Sequence, residues 1–177
     1  MNSIIKPVST DYNTSLHILE DLTKDFPFLN TEIQGRSALG RGIFSFSIGN
    51  MKKTSLIAGG FHGTDQISSL LIMLFTERLC RCVKYGTEMC GADVRRALSQ
   101  VGITLIPCIN PDGREIAVKG FESAKNLRTY LSDISPEGHS QWRSNAFGVN
   151  INKNFSRGWS DCRQQEYETH SAVPSAL

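Results

Sequence analysis

The first pattern along the chain is a set of apolar residues at helical spacing. Four of them share one face of a helix, Tyr12, Leu16, Leu19 and Phe26. Asp11 stands where a helix cap is needed, and Pro27 ends the pattern. We therefore predict an amphipathic first helix between these two residues.

A strand pattern follows the first helix. Residues 31–36 can be extended, residues 40–42 contain two glycines that favour a turn, and residues 43–48 alternate large apolar with small polar side chains. This alternation predicts a β-hairpin in which Phe44 and Phe46 face the core.

Strands and helices then alternate along the chain. Residues 55–60 form a short apolar run typical of a buried strand, and residues 93–100 and 103–106 predict a helix and a second such strand. Between them lies a helix with a broad apolar face that we expect to be largely buried, formed by Ile67, Leu70, Leu71, Leu74, Phe75, Leu79 and Val83. This order predicts an α/β fold with a mixed, largely parallel sheet and helices on both faces.

The second half of the chain has weaker patterns. Residues 114–148 predict short helices and a long functional loop. Residues 160–177 are polar and are expected to form a poorly ordered tail. No linker or repeat divides residues 1–177, so we expect one domain.

Composition narrows the classes of function. The chain has 177 residues, of which 40% are hydrophobic, and a formal net charge of +2 without a Lys/Arg stripe, so a globular domain is favoured and nucleic acid is not an expected partner. The first residues lack a signal-peptide pattern, and the longest apolar stretch is too short to span a bilayer. Five cysteines are an odd number and suit reduced thiols. We expect a cytoplasmic protein without membrane contact.

His62 and Asp65 are the first candidates for chemistry. They are three residues apart, directly behind the apolar run 55–60. The end of a strand that passes into a helix is where open α/β sheets bind ligands, so the pair can belong to a metal site. The alternative is that Asp65 caps a helix and His62 lies in a surface loop.

Further polar motifs follow the second predicted strand. Residues 110–113 read Asn-Pro-Asp-Gly, which is typical of a turn. Farther along, Trp142-Arg143 precedes a run of amide and cationic side chains at residues 148–155. Such groups can bind a carboxylate, although a solvated polar loop would have the same composition.

Taken in order, these motifs resemble the zinc carboxypeptidase family. The likeness is greatest to the branch with bacterial γ-D-glutamyl-diamino-acid peptidases, which cut cell-wall peptides. It covers about residues 12–159, including the Gly-Arg-x-Ile element of the hairpin. The resemblance implies the fold of that family, represented here by its N-terminal portion, so the domain is expected to be incomplete and truncated at its C-terminal end.

The resemblance also implies roles for individual residues. His62 and Asp65 match the first two of three zinc ligands, and the zinc would activate a water that hydrolyses a peptide bond. Arg143 matches the arginine that stabilises the developing oxyanion. Asn152 and Lys153 match the pair that holds the free C-terminal carboxylate of a peptide substrate. Asn110 and Asp112 are expected to shape the adjoining loop.

Several positions depart from the family pattern. Asp65 replaces glutamate and is one methylene shorter, so we expect weaker zinc binding. Lys153 replaces arginine and lacks its bidentate fork, and Asn150 replaces aspartate. The later histidine ligand and the general-base glutamate have no clear counterparts, since His170 lies in a segment without a strand pattern.

Two other functions compete with a zinc hydrolase. A catalytically inactive, truncated homologue or a non-catalytic peptide-binding domain would explain Asp65, Asn150 and Lys153. A dinucleotide-binding protein is disfavoured, because Gly59-Gly60 is not followed by the required glycine spacing.

Overall fold

The computed structural model describes residues 3–5 and 11–160. The helices are α1 (Tyr12–Asp25), α2 (Gln66–Tyr85), α3 (Val94–Gln100), α4 (Pro111–Lys119) and α5 (Arg128–Ile134). The strands are β1 (Asn30–Arg36), β2 (Gly42–Ile48), β3 (Thr54–Ala58), β4 (Glu88–Met89), β5 (Ala92–Asp93) and β6 (Gly102–Ile106). Two 3₁₀ segments lie at Phe121–Leu127 and Ile151–Lys153.

Four strands form the main sheet, in the order β1-β2-β6-β3. The predicted mixed α/β class is confirmed, but parallel pairing is less common than expected. Of the pairs in this described sheet, β3 with β6 is parallel, whereas β1 with β2 and β2 with β6 are antiparallel. The short hairpin turn between β1 and β2 imposes antiparallel pairing there.

The first helix begins where its cap was expected. The Asp11 carboxylate accepts a hydrogen bond of 2.7 Å from the backbone N–H of Thr14. The face that packs inward is centred on Ile18 and Leu22, which are more deeply buried than the stripe used to predict the helix. Phe26 then closes the helix with its own side chain in the core.

The hairpin directs its phenylalanines as predicted. Phe46 is 1% exposed, and the ring of Phe44 stacks on Tyr12 at a centroid distance of 6.0 Å. Phe46 lies opposite Leu105 of β6, so both side chains point to the same sheet face. That face carries the main core, to which α1 and α2 contribute Leu22, Ile72 and Met73.

A second core cluster lies around α4 and the segments that follow it. It consists of Ile116, Ala124, Leu131, Trp142 and Ala146. The tetrapeptide at residues 110–113, expected to be a turn, is instead the start of α4, with Asn110 as its cap and Pro111 in its first turn. Proline suits that position because its missing N–H has no helical partner there.

Two predictions of burial were wrong. Every residue of β3 from Thr54 to Ile57 is exposed, although the run was expected to be buried. Helix α2 buries Ile72 and Leu79 but leaves other apolar residues exposed, namely Ile67, Leu71 and Leu74. For β3 the reason is its position, because it is the last strand of the described sheet and has a neighbouring strand on one side only.

Two further expectations concern the C-terminal tail and contact with a membrane. Beyond Ser160, the predicted tail at residues 160–177 lies outside the described residues. Among the helices that are described, none combines the length and apolar character needed to cross a membrane.

Candidate functional site

The connection between β3 and α2, residues 59–65, carries His62 and Asp65. Four backbone hydrogen bonds of 2.9–3.4 Å hold it against later parts of the chain: Gly59 to Ile106, Ile109 to Gly59, Asn110 to Gly60, and Gly63 to Arg143. The connection is therefore fixed at the end of β6 and the start of α4.

Glycine at position 63 allows two other backbone segments to lie very close to the connection. A Cβ atom there would lie 2.2 Å from the carbonyl oxygen of Gly113 and 2.6 Å from that of Trp142. Both distances are far below van der Waals contact, and both atoms belong to the backbone. Gly63 is thus needed for α4 and the Trp142-Arg143 segment to pack on the connection.

Asn110 reinforces this junction with its side chain. It is 2% exposed, and its amide donates to the carbonyl oxygens of Phe61 at 3.0 Å and Ser144 at 3.1 Å. The same side chain caps α4 by accepting from the N–H of Gly113 at 2.9 Å. Asn110 therefore has the structural role that was expected of it, which is to shape the loop beside the candidate site.

Asp112 anchors the hairpin rather than the connection. Its carboxylate is 1% exposed and accepts hydrogen bonds from the Ser37 hydroxyl at 2.8 Å, the Leu39 N–H at 2.9 Å and the Arg41 guanidinium at 2.7 Å. It therefore fixes the turn between β1 and β2 to the first turn of α4.

Arg114 is a site-forming residue that the sequence reasoning missed. Its guanidinium is 1% exposed and donates to the carbonyl oxygen of Gly63 at 2.8 Å, to that of Asp65, and to the Ser69 hydroxyl at 3.2 Å. Burial lowers the pKa of Arg114, while Cys108 and Asp65 act in the opposite direction. A charged residue in a helix normally indicates a position exposed to solvent, so no sequence pattern pointed to a buried structural role for Arg114.

Asp65 is the N-cap of α2. One carboxylate oxygen accepts from the Ser68 N–H at 3.3 Å and the other from the Ser68 hydroxyl at 2.6 Å. The capping alternative considered for this residue is therefore present in the fold. A carboxylate has about four acceptor positions, so capping leaves lone pairs for a cation, and the metal-ligand role stays a prediction.

His62 lies beside Arg143. Nδ1 of the imidazole is 3.4 Å from Nη2 of Arg143. Since arginine only donates hydrogen bonds, Nδ1 is the acceptor and the ring proton sits on Nε2. Burial and the charge of Arg143 lower the pKa of His62, against opposing effects of Asp65 and Asn150, and Lys153 adds to the decrease. The ring is therefore neutral at pH 7, which is the form that binds metals, and a metal ion at Nδ1 would take the place of the Arg143 contact.

Two of the candidate substrate-binding residues, Arg143 and Lys153, lie close enough to His62 for their charges to lower its pKa. Arg143 is exposed, and Asn152 and Lys153 are exposed in the 3₁₀ segment Ile151–Lys153. Asn150 starts that segment: its side chain accepts from the Asn152 N–H at 3.2 Å and is also hydrogen-bonded to His62. The fold thus brings the two cations near the imidazole, a charge arrangement suited to an anionic group.

The donor chemistry of the pair fits zinc, which binds imidazole nitrogen and carboxylate oxygen. Within residues 3–5 and 11–160, no group of three or more His, Cys, Asp or Glu is arranged to hold a metal ion. His139 is placed elsewhere, with Nδ1 3.2 Å from the carbonyl oxygen of Ala117. His170 lies outside the described residues. Any third donor to a site built on His62 and Asp65 would therefore come from outside these residues.

Sequence comparison relates the chain to known peptidases. The family model for zinc carboxypeptidases matches residues 16–175. γ-D-Glutamyl-L-diamino acid endopeptidase 1 of Lysinibacillus sphaericus is 26% identical over 151 residues, which cover 84% of this chain and 38% of the relative. Carboxypeptidase E of Caenorhabditis elegans is 31% identical over 99 residues, covering 56% of this chain and 18% of the relative.

Solved structures show the same fold. Thrombin-activatable fibrinolysis inhibitor matches with a TM-score of 0.65 at 18% identity, covering 84% of this chain and 34% of that one. The bovine form, in complex with tick carboxypeptidase inhibitor, matches with a TM-score of 0.57 at 16% identity, covering 78% and 37%. The matches cover between 18% and 38% of the length of these relatives.

Proposed function

Since this chain belongs to the zinc carboxypeptidase family, we propose that it supplies part of the active site of a zinc-dependent hydrolase of peptide bonds. The observation that carries the proposal is a neutral imidazole at the end of a sheet strand, with a carboxylate three residues later and an arginine 3.4 Å away. These are three of the groups that hydrolysis by a zinc-activated water uses.

His62 and Asp65 would hold the zinc, together with a donor from outside the described residues. A bound zinc ion supplies an acidified water and polarises the scissile carbonyl. The structural task of the chain is to keep His62 unprotonated and correctly aimed. Burial and the positive charge of Arg143 favour the unprotonated ring by lowering the pKa of His62, whereas the hydrogen bond with Asn150 raises that pKa. Ser68 holds the carboxylate of Asp65.

Arg143 is the proposed oxyanion-stabilising residue. Its guanidinium is permanently charged, exposed and next to His62, so it can donate hydrogen bonds where negative charge develops. Asn152 and Lys153 are proposed to hold the terminal carboxylate of the substrate. Lysine provides a single point charge rather than a bidentate fork, so carboxylate binding is expected to be weaker than with arginine.

We propose peptides containing γ-D-glutamyl-diamino-acid bonds as the substrate class. The support is the likeness to the Lysinibacillus endopeptidase, which extends over 84% of this chain. A peptide with a free C-terminal carboxylate at the diamino acid would place that group against Lys153 and Asn152.

Metal binding is the direct test. The purified protein is titrated with zinc at equilibrium against a competing chromophoric chelator, because two ligands without a third donor are expected to bind zinc weakly. We expect binding by the wild type, loss of binding in His62→Ala and unchanged binding in His139→Ala, which alters a histidine outside the site. Wild-type protein without zinc would overturn the metal site and leave the alternative of a non-catalytic peptide-binding domain, which the Asp65 cap and Lys153 favour.

Hydrolysis is tested with a synthetic γ-D-glutamyl-diamino-acid peptide and, in parallel, a simple C-terminal dipeptide. Arg143→Ala should lower kcat by about 10²–10³-fold, the usual effect of removing one oxyanion donor. A rate unaffected by Arg143→Ala would contradict the role of this residue. Retention of zinc without cleavage of either peptide would contradict the proposed activity but not the metal site.

A further inference from the structure

Ser68 lies in the first turn of α2, three residues after Asp65. Its hydroxyl donates a hydrogen bond of 2.6 Å to one carboxylate oxygen of Asp65, and its backbone N–H donates one of 3.3 Å to the other oxygen. The bond from the hydroxyl has the length of a charge-assisted O–H···O⁻ bond, for which about 2.5–2.7 Å is typical. Ser68 therefore holds both oxygens of the proposed zinc ligand, and its side chain makes the closer contact.

The Ser68 hydroxyl has a second partner in the connection at residues 59–65. Its oxygen accepts a hydrogen bond of 2.9 Å from the backbone N–H of Gly60. Since that N–H can only donate and the carboxylate of Asp65 accepts, the hydroxyl hydrogen is directed at Asp65. The two bonds form one chain, which links the backbone two residues before His62 to the side chain three residues after it.

Two glycines directly after β3 make room for this chain of hydrogen bonds. A Cβ atom at Gly59 would lie 3.0 Å from Oγ of Ser68 and 2.8 Å from Cδ1 of Ile72. A Cβ atom at Gly60 would lie 2.7 Å from Oγ of Ser69, and Gly60 has a φ of +64°, which glycine adopts without strain. The glycines therefore let the first turn of α2 pack against the connection, with the Ser68 hydroxyl in reach of the Gly60 N–H.

Capping of α2 does not by itself need the hydroxyl of Ser68. The cap is the bond from the Ser68 N–H to Asp65, and a backbone N–H is present whatever side chain stands at position 68. The hydroxyl adds a bond to the other carboxylate oxygen, which restricts rotation of the carboxylate. A group that is already ordered loses less conformational freedom when it binds.

We propose that Ser68 is a positioning residue of the zinc site, whose hydroxyl fixes the orientation in which Asp65 binds the metal. The inference rests on the proposed function, in which Asp65 is a zinc ligand. Ligating carboxylates are themselves hydrogen-bonded in metal sites, and loss of such a partner typically lowers metal affinity by about 10–100-fold. A carboxylate has about four acceptor positions. Ser68 takes one on each oxygen, which leaves the others for a metal ion.

The test compares Ser68→Ala with Thr14→Ala in the full 177-residue chain. Thr14 is the matched control, because α1 has the same arrangement at the other end of α4, where Asp11 pairs with Lys119. Asp11 accepts from the Thr14 N–H, and the Thr14 hydroxyl is bonded to the same carboxylate. Each variant keeps the capping N–H and loses one hydroxyl bond to a carboxylate, so we expect similar shifts of the urea unfolding midpoint.

Zinc affinity is measured at equilibrium by competition with a chromophoric chelator. Ser68→Ala should bind zinc about 10–100-fold more weakly than the wild type, whereas Thr14→Ala should bind it with unchanged affinity. Ser68→Thr keeps a hydroxyl and should bind zinc more tightly than Ser68→Ala. In the absence of metal, NMR should show faster exchange of the Gly60 amide hydrogen in Ser68→Ala than in the wild type, because its acceptor is gone.

Four results would overturn the proposal, and they separate it from the proposed function. Wild-type zinc affinity in Ser68→Ala would remove the role of Ser68 and leave the metal site intact. Equal losses of affinity in Ser68→Ala and Thr14→Ala would indicate general destabilisation. An unchanged rate of Gly60 exchange in Ser68→Ala would contradict the link between the connection and Asp65. A wild type that binds no zinc would overturn the metal site and this inference together.

Discussion

The Nε atom of Arg114 lies 2.8 Å from the backbone carbonyl oxygen of Gly63, 51 positions earlier in the chain. This bond joins α4 to the connection that carries both candidate zinc ligands. The same guanidinium also reaches the carbonyl oxygen of Asp65, so one buried cation fixes both ends of the Gly63–Asp65 segment.

Replacing Arg114 by methionine should destabilise the protein by about 3 kcal/mol. The change removes the donors of two carbonyl groups, and a buried polar group left unsatisfied costs about 1–3 kcal/mol. Urea unfolding measures the difference. Arg36→Met, at an exposed arginine that donates to Gly40, should change the free energy of unfolding by less than about 0.5 kcal/mol. Equal effects would contradict the bracing role of Arg114.

Gly63→Ala should destabilise the protein by about 1–3 kcal/mol or more through overpacking. The added methyl group would lie 2.2 Å from the Gly113 carbonyl oxygen, and backbone cannot swing away as a side chain can. Gly35→Ala is the control, since nothing lies within 4 Å of its Cβ position. Thermal unfolding of both variants tests this. A Gly63→Ala protein as stable as Gly35→Ala would contradict the close packing described.

Asp112→Asn should cost about 3 kcal/mol, because it removes the nearer counter-charge of the partly buried Arg41 cation, which keeps only Glu115, at 4.0 Å. Arg41 donates to Asp112 at 2.7 Å, with side-chain exposures of 15% and 1%. Glu122→Gln breaks an ion pair with Arg128 of the same length but with exposures of 67% and 59%. That surface pair should contribute less than about 1 kcal/mol. Chemical denaturation of the two variants separates the buried from the exposed pair.

Asp11 should make the free energy of unfolding depend on pH in the acid range. Burial raises the pKa of Asp11, but hydrogen bonds from Lys119 and Thr14 outweigh it and lower the pKa from 3.8 to about 2. The stabilisation is therefore complete above pH 3.8 and disappears as the pH falls toward 2. Asp11→Ala should lower the free energy of unfolding at pH 7 by at least about 1 kcal/mol for the lost cap.

The pH series gives the check on Asp11. Urea unfolding at pH 7, 4 and 2.5 should show the difference between wild type and Asp11→Ala shrinking only at the lowest pH. A difference that stays constant over the series would contradict a depressed pKa for Asp11.

Asp65→Glu should strengthen zinc binding while weakening α2. The extra methylene lengthens the reach of the carboxylate toward a metal held by His62. Glutamate is a poorer N-cap than aspartate, so the free energy of unfolding should fall by about 1 kcal/mol. Asp93→Glu, which alters the cap of α3, should lose similar stability without changing zinc affinity. Zinc competition with a chromophoric chelator measures the affinities, and weaker zinc binding by Asp65→Glu would contradict the assignment of this residue.

Local patterns predicted the elements of the fold well. Helix α1 begins at its Asp11 cap, the hairpin buries Phe46, and α3 begins after Asp93, because capping groups and alternation act within a few residues. Burial was harder to predict. The apolar run of β3 is exposed because burial depends on neighbouring strands, which periodicity does not reveal.

For the candidate site, too, local patterns predicted some features and could not predict the long-range contacts. The spacing of His62 and Asp65 predicts both a metal pair and a helix cap, and the cap is visible in the fold. The family resemblance identifies Arg143, which lies beside His62. The bonds of Arg114 and Asn110 join positions about 50 residues apart, as the separations of 51 and 49 show. No local pattern encodes such contacts.

The residues that hold the connection at residues 59–65 come much later in the chain. This separation along the sequence affects the order of folding. The backbone of the connection is held by Ile106, Ile109, Asn110, Arg114 and Arg143. During synthesis, a nascent chain that has reached α2 still lacks all of these anchors, and long loops must close before such contacts form. The geometry around His62 is therefore acquired late, after α4 has left the ribosome and docked.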